Sequence, residues 1–337
     1  MTHMIRVAIL SFWHVHANDY AKEALNQPDT EIAAVWDELP SRGRESANRF
    51  GVPFIKDLDE LMQNPDIDAV IVTTPTNMHH DVMVKAAKAG KHIFTEKVIA
   101  PTMKEANQIV AAVQEAGVKL TVSLPRLNDS YTLAVQNVIR EGLLGELTLV
   151  RVRLAHNGAI SGWLPEYFYN LEQCGGGALI DLGCHPVYLN RLFLGMPESV
   201  SANYGYITGK EVEDNAVSVF RYANGSIGIA ETSFVNSYSP FTVEVHGTEG
   251  TLMYGTPEPK MLIRSIKRNA STWEEITLPQ PQESAFCQWI GHIQNGTVAE
   301  ENIKLALDLT KLMDASNLSI KEQRSILISE LLTTSIR

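Results

Sequence analysis

The sequence predicts an α/β fold, with a doubly wound parallel sheet at the N-terminal end followed by an α+β domain built on a mostly antiparallel open sheet. Two observations carry this expectation. Residues 5 to 123 alternate strand-length apolar runs with helix-length amphipathic runs over short links, as in a parallel sheet wrapped by helices. After Pro125 the alternation stops, and consecutive strand-like runs follow with one helix cluster among them. At 337 residues the chain is also long for a single core. The expected division is 1–124, 125–318 and a C-terminal tail, 319–337, of ambiguous pattern.

Each element has a local reason. Ile5 to Leu10 reads as the first strand, Ser11 to His16 as a tight loop and Ala17 to Leu25 as a helix. Glu31 to Trp36 is a strand, and the helix from Ser41 to Phe50 stops at Gly51. Ala69 to Thr73 is a strand, and His79 to Ala89 a helix closed by Gly90. The short run His92-Ile93-Phe94 is the next strand. Thr102-Met103-Lys104-Glu105 is a capping box that opens a helix reaching Gly117, and Val118 to Ser123 closes the set. In the second domain a helix from about Asp129 to Arg140 leads to a strand at 147–154. Strand-like runs follow at 198–208, 214–222, 226–234, 241–246 and 251–254, with Asn224-Gly225 as a hairpin signal. Helices near 284–294 and 299–316 are expected to finish this domain.

Composition narrows the partners. Hydrophobic residues make up 45% and charged residues 20%, an ordinary globular balance. Twenty-eight basic against 39 acidic residues give a net charge of -11, with no Lys/Arg-rich run, which argues against nucleic acid and anionic membranes. The apolar runs are strand length, short of a bilayer span. Met1 to Leu10 lacks the features of a signal peptide. Cys174, Cys184 and Cys287 form an odd set without a C-x-x-C pair, the usage of reduced thiols in a cytoplasm. A small-molecule partner is expected. Val217, Val219, Ile227 and Ile229 offer an apolar sheet face, so a homodimer or homotetramer is expected too.

The most informative stretch is Gly175-Gly176-Gly177-Ala178-Leu179-Ile180-Asp181-Leu182-Gly183-Cys184-His185. On a helix, Asp181 and His185 share a face. The glycines before them allow close approach of the backbone to a neighbour, and Val187, Leu189, Leu192, Phe193 and Leu194 give the helix a buried side. An isolated Asp-x-x-x-His pair also reads as a surface ion pair. Two further features favour a site: Thr95-Glu96-Lys97, just past a strand end where such sheets bind ligands, and the strand–loop–helix start of the chain.

This layout, with Thr74-Pro75-Thr76-Asn77-Met78-His79, Gly90 to Lys97, residues 175–185 and Gly247-Thr248-Glu249-Gly250-Thr251-Leu252, resembles the Gfo/Idh/MocA family of nicotinamide-dependent oxidoreductases. The resemblance spans nearly the whole chain. It implies an N-terminal Rossmann domain that binds NAD(P), and hydride transfer at a secondary hydroxyl or carbonyl of a sugar, cyclitol or related polyol. Lys97 is similar to the lysine of the family's Glu-Lys-Pro motif, although Val98 stands where the motif has proline. Asp181 and His185 are similar to its paired acid and histidine. In the fingerprint G-x-G-x-x-G, Ser11, Trp13 and His16 take all three glycine positions.

The resemblance implies catalytic roles for Lys97, Asp181 and His185. A polyol hydroxyl is a weak acid, so a base must take its proton as hydride leaves. Histidine, with an ordinary pKa of about 6.5, suits that work. Asp181 would orient His185, and Lys97 would stabilise developing alkoxide character. Cofactor contacts are expected from Ser11, Phe12, Trp13, His14, Asp37, Thr74, Pro75, Asn77, His80 and Glu96. Asp37, at the end of the second strand, is the expected ribose ligand and favours NAD over NADP, while Arg42 and Arg44 keep NADP open. Arg126, Asn157, Trp163 and Tyr167 are the expected substrate contacts, with core packing an equal account of Trp163. His14, His16, His79, His80 and His185 invite a transition-metal reading. No H-E-x-x-H spacing occurs, so no metal is expected. Two other functions compete: an NAD-dependent glycosidase acting by redox elimination, and a non-redox sugar-binding or regulatory module.

Overall fold

The computed structural model describes residues 4–331. It divides into two compact units: the chain up to Leu124 together with Glu283–Leu307, and Pro125–Gln282 together with the chain from Asp308.

In the first unit, β1 (Ile5–Leu10), α1 (Ala17–Asn26), β2 (Thr30–Trp36), α2 (Pro40–Phe50), α3 (Leu58–Gln63), β3 (Ala69–Val72), α4 (His79–Lys88), β4 (His92–Thr95), α5 (Met103–Ala116) and β5 (Leu120–Val122) alternate as expected. The five strands pair in parallel in the order β2-β1-β3-β4-β5. Reversal of the order at β1 places a crevice at the carboxyl ends of β1 and β3, where ligands bind in such sheets. The short helix α3 interrupts a stretch that the sequence pattern leaves as a link. It starts because Asp57 accepts from the backbone N–H groups of Asp59 and Glu60.

The second unit carries α6 (Ser130–Arg140), β6 (Leu147–Ala155), two single-turn helices α7 (Gly158–Ser161) and α8 (Leu171–Cys174), and α9 (Cys184–Leu194). Strands β7 (Ser199–Gly205), β8 (Asn215–Arg221), β9 (Ile227–Ser233), β10 (Thr242–Gly247), β11 (Gly250–Tyr254), β12 (Met261–Ser265) and β13 (Glu274–Ile276) follow. After α10 (Ala285–Asn295) and α11 (Glu300–Glu322), a two-residue strand β14 (Ile326–Leu327) ends the described chain. The nine strands run β13-β12-β11-β10-β6-β9-β8-β7-β14, antiparallel except for β6 against β9. Alternation along β8 and β9 buries Ala216, Ser218, Phe220 and Ala230 on one face and leaves Val217, Val219, Ile227 and Ile229 on the other.

Two expectations are corrected. The helix at 284–294 does not finish the second domain. Phe286, Trp289 and Ile290 of α10 lie in the first unit's core with Val7, Ile9, Ile71 and Phe94, and the Phe94 ring meets those of Phe286 and Trp289 at 5.4 and 5.7 Å. The apolar stripe of α10 is buried there. The tail from 319 is also part of the fold: α11 continues to Glu322, and Ile326 and Leu327 pair with Val200 and Ser199 at the sheet edge. Residues 332–337 of that tail lie outside the described residues. Among the described residues no helix is long and apolar enough to cross a membrane.

Candidate active site

The loop after β1 is held by both neighbouring strands. Ser11, at the first glycine position of the fingerprint, takes a left-handed backbone with φ of 79°. Its Oγ accepts from the Trp13 N–H at 3.0 Å, and its carbonyl accepts from the Thr73 hydroxyl at 2.6 Å. The His14 N–H donates to the Thr73 carbonyl. Phe12 turns into the core and stacks on Phe50 at 5.8 Å, and Trp13 is buried beside His14.

Asp37 is fully buried, and its carboxylate is engaged within the protein. Oδ2 accepts from Phe12 N–H (2.8 Å) and Arg42 Nε (2.9 Å), and Oδ1 from Leu39 N–H (2.8 Å) and Arg42 Nη2 (2.7 Å). Those four bonds use the acceptor capacity of a carboxylate. The ribose contact expected from sequence needs one of them released; the visible work of Asp37 is to clamp the loop. Arg42 is likewise engaged, reaching Glu38 and the Ser11 hydroxyl as well.

Glu96 gathers the next group at the end of β4. Its Oε1 meets His16 Nδ1 at 2.6 Å, lies 3.5 Å from His14 Nδ1, and accepts from the Tyr20 hydroxyl, which sits 2.7 Å from Ser123 Oγ. Its Oε2 accepts from the Lys97 N–H at 2.8 Å. Burial opposes ionisation of Glu96, but His14 and His16 outweigh it and hold the carboxyl well below the usual carboxylate range. Lys97 is buried, and its peptide bond to Val98 is cis. The His79 ring lies between the carbonyls of Val98 (2.9 Å) and Thr74 (3.2 Å). Thr74 Oγ1 is buried with no hydrogen-bond partner, an orphan group at the end of β3. Pro75 and the exposed Asn77 border the following turn, and His80 pairs with Asp81 at 2.7 Å.

In the second unit the glycine run has a structural cause. Gly175 ends α8 with φ of 74°, and a Cβ on Gly177 would lie 2.0 Å from the Glu213 carbonyl oxygen. The close neighbour of those glycines is therefore the chain's own 212–213 segment. Glu213, buried, accepts from the N–H groups of Gly177 and Leu179, each at 2.9 Å. A π-helical turn, Leu179–Gly183, carries Asp181 into α9. Such turns are frequent at functional sites. His185 is buried, and its Nδ1 lies 3.0 Å from the Tyr188 hydroxyl, which also accepts from the Arg126 N–H at 3.1 Å. Tyr188 thus joins two of the expected site residues.

Arg126 lies 4.6 Å over the Phe241 ring and bonds Tyr131, while its Nε is buried without a partner. Asn157 donates to Ser237. Trp163 is 55% exposed and rests on His156, so core packing does not explain it. Tyr167 packs beside Phe168 in a small apolar cluster. Asp181 acts electrostatically on His156, where burial lowers the pKa and the carboxylate raises it.

Sequence reasoning missed Tyr20, Tyr188, Glu213 and His156. Tyr188 alone left a local signal, three residues after His185 on one helix face.

A family model for the NAD-binding Rossmann domain of the Gfo/Idh/MocA oxidoreductases matches residues 6–124, and one for the C-terminal domain matches 132–253. The chain belongs to the Gfo/Idh/MocA family. It is an oxidoreductase with an NAD-binding Rossmann domain. The sequence is 29% identical to 1,5-anhydro-D-fructose reductase of Ensifer adhaerens over 241 residues, 70% of this chain and 72% of that protein. It is 26% identical to inositol 2-dehydrogenase of Rhizobium meliloti over 328 residues, 92% and 95% of the two chains. A solved structure of levoglucosan dehydrogenase with NADH and levoglucosan superposes with a TM-score of 0.83 over 96% of this chain and 99% of that one, at 19% identity, a likeness of fold. These relatives favour the dehydrogenase reading over redox elimination and over a non-redox module.

The first unit's residues fit a dinucleotide: a left-handed residue opens the loop after β1, the orphan Thr74 hydroxyl lies at the end of the adjacent strand, and α1 starts without a side-chain cap.

Proposed function

We propose that this protein transfers hydride between NAD and a secondary hydroxyl or carbonyl of a sugar, cyclitol or related polyol. Lys97 carries the reading: it is a buried ammonium at the carboxyl end of β4, in the unit whose fold binds the cofactor. When bound, NAD supplies the hydride acceptor. His185 takes the hydroxyl proton in oxidation and returns it in reduction, with its ring held by Tyr188 at Nδ1. Lys97 stabilises the oxygen as negative charge develops on it. Asp181 favours positive charge on the His156 imidazole, and the orphan Arg126 Nε suits a substrate oxygen.

The test is a calorimetric titration with NAD, followed by a screen of polyols and aldoses for NADH formation. Turnover of at least one sugar or cyclitol with net NADH supports the reading. Glycoside cleavage without NADH, or no binding of NAD or NADP at millimolar concentration, refutes it. The half-buried apolar face of β8 and β9 suits association with a second copy, so the protein is proposed as a homodimer or homotetramer. A concentration-independent monomer in sedimentation would reject that. With no disulfide among Cys174, Cys184 and Cys287, a cytoplasmic enzyme is proposed, binding neither nucleic acid nor membranes.

A further inference from the structure

His14, His16 and Glu96 bring three ligand atoms within 4.8 Å of one another, from the loop after β1 and the end of β4. Bonds of about 2.0–2.2 Å in a tetrahedral site separate ligand atoms by roughly 3.3–3.5 Å. His14 Nδ1 and Glu96 Oε1, 3.5 Å apart, already stand at that separation. The 2.6 Å contact of His16 with the same oxygen has to open by less than about 1 Å. His16 has the room to do so, because its side chain is 40% exposed while those of His14 and Glu96 are 6% and 2%. That exposed ring also provides an entry path.

His14 Nδ1 accepts from the His16 N–H at 3.2 Å, and that bond has to give way before the nitrogen's single lone pair takes a cation. A further feature belongs to a built site. Glu96 is oriented by a second shell: Tyr20 at Oε1, backed by Ser123, and the Lys97 N–H at Oε2. We propose that His14, His16 and Glu96 form a binding site for a late first-row divalent cation, zinc or cobalt in type, in the loop where the family's fingerprint has glycines. Two imidazoles and one carboxylate select such ions over magnesium or calcium. Three protein ligands leave a fourth position for water or an anionic oxygen. Lys97, next in sequence to Glu96, opposes a second cation, so the site binds less tightly than a closed structural zinc site. His14 and Glu96 are also expected cofactor contacts, so cation binding is read without NAD or substrate and its failure is distinguishable from failure of the hydride-transfer reading.

The experiment uses the tag-free full-length protein, freed of metal with a chelator and titrated with cobalt(II). Visible absorption and competition against a chelating indicator are the readouts. One equivalent binds with saturable absorption, and zinc displaces it. His14→Ala, His16→Gln and Glu96→Gln each weaken binding at least tenfold. Tyr20→Phe, which keeps all three ligands, weakens it by about tenfold through the second shell. His16→Gln alters a half-exposed side chain and keeps the variant set informative if a buried replacement fails to fold. No saturable absorption, or one equivalent bound with unchanged affinity in His16→Gln, overturns the proposal.

Discussion

Replacing Glu213 is the sharpest structural test of how the second unit holds its catalytic candidates. Its carboxylate accepts from the N–H groups of Gly177 and Leu179 at 2.9 Å each, at the start of the segment that carries Asp181 and His185. Glu213→Ala leaves both donors buried and unpaired. Each such orphan costs about 1–3 kcal/mol, so the variant should lose about 2–6 kcal/mol. Glu213→Gln keeps one acceptor oxygen and should lose about half as much. Displacement of the segment by about 1 Å can also lower turnover on the order of a hundredfold. Burial raises the Glu213 pKa against the pull of the backbone N–H groups of Leu179, Gly177 and Glu213 itself. The folded state therefore binds the proton more tightly than the unfolded chain. Stability from this group is full below the ordinary glutamate pKa and declines as pH rises toward the raised folded value. Glu213→Gln should remove that slope. Urea unfolding at several pH values reads both effects; a loss below about 1 kcal/mol in Glu213→Ala would refute the capping role.

Four other outcomes are expected. Lys97→Ala and His185→Ala should each lower turnover on the order of a hundredfold while calorimetry finds NAD affinity nearly unchanged; near-normal turnover in either rejects its role. Tyr188→Phe, keeping the ring but not the hydroxyl at His185 Nδ1 and Arg126 N–H, should lower kcat and shift its pH profile, whereas a purely structural tyrosine would leave the profile in place. Asp37→Ser should cost about 3 kcal/mol in urea unfolding, because Arg42 and two backbone donors lose their acceptor. An altered NAD/NADP ratio at unchanged stability would instead make Asp37 the ribose ligand. Glu96, held below the usual range by His14 and His16 against the cost of burial, contributes stability above the ordinary carboxylate pKa that is lost as pH falls through its folded value. Glu96→Gln should flatten that acid limb, and an unchanged limb would count against the assignment.

The parallel sheet was legible because each β–α unit announces itself locally: an apolar run, a capping residue, a glycine stop. Thr102 and Gly117 bracket α5 just where the capping signals put them. What local pattern cannot carry is allegiance. The apolar stripe of α10 is plain in sequence, but only tertiary packing puts Phe286 and Trp289 against Phe94. The short strands β12 to β14 escaped for a related reason, since their pairing partners rather than their own alternation define them. Lys97, Asp181 and His185 are candidates by residue type and position alone. Glu213 and Tyr20 are not, because each works on residues far away in sequence, Glu213 on Gly177 and Tyr20 on Glu96.

The loop after β1 illustrates how a fingerprint can lose its glycines and keep part of its geometry. The first glycine of the motif serves a tight turn, and Ser11 makes that turn with a positive φ, held by Thr73 at its carbonyl and by Trp13 N–H at its hydroxyl. Left-handed backbone at a residue with a Cβ costs about 1 kcal/mol or more, and it persists only where surrounding contacts over-determine it. Here they do: Asp37 clamps the Phe12 N–H, Phe12 stacks on Phe50, and His14 N–H reaches across to β3. Glycine would supply the turn without these ties, but a glycine loop could not also present imidazoles to Glu96. The clamped backbone and the His14–His16–Glu96 cluster are thus two sides of one arrangement. Side chains fix the path that glycine leaves free, and the fixed path sets two imidazoles against the carboxylate at the end of β4.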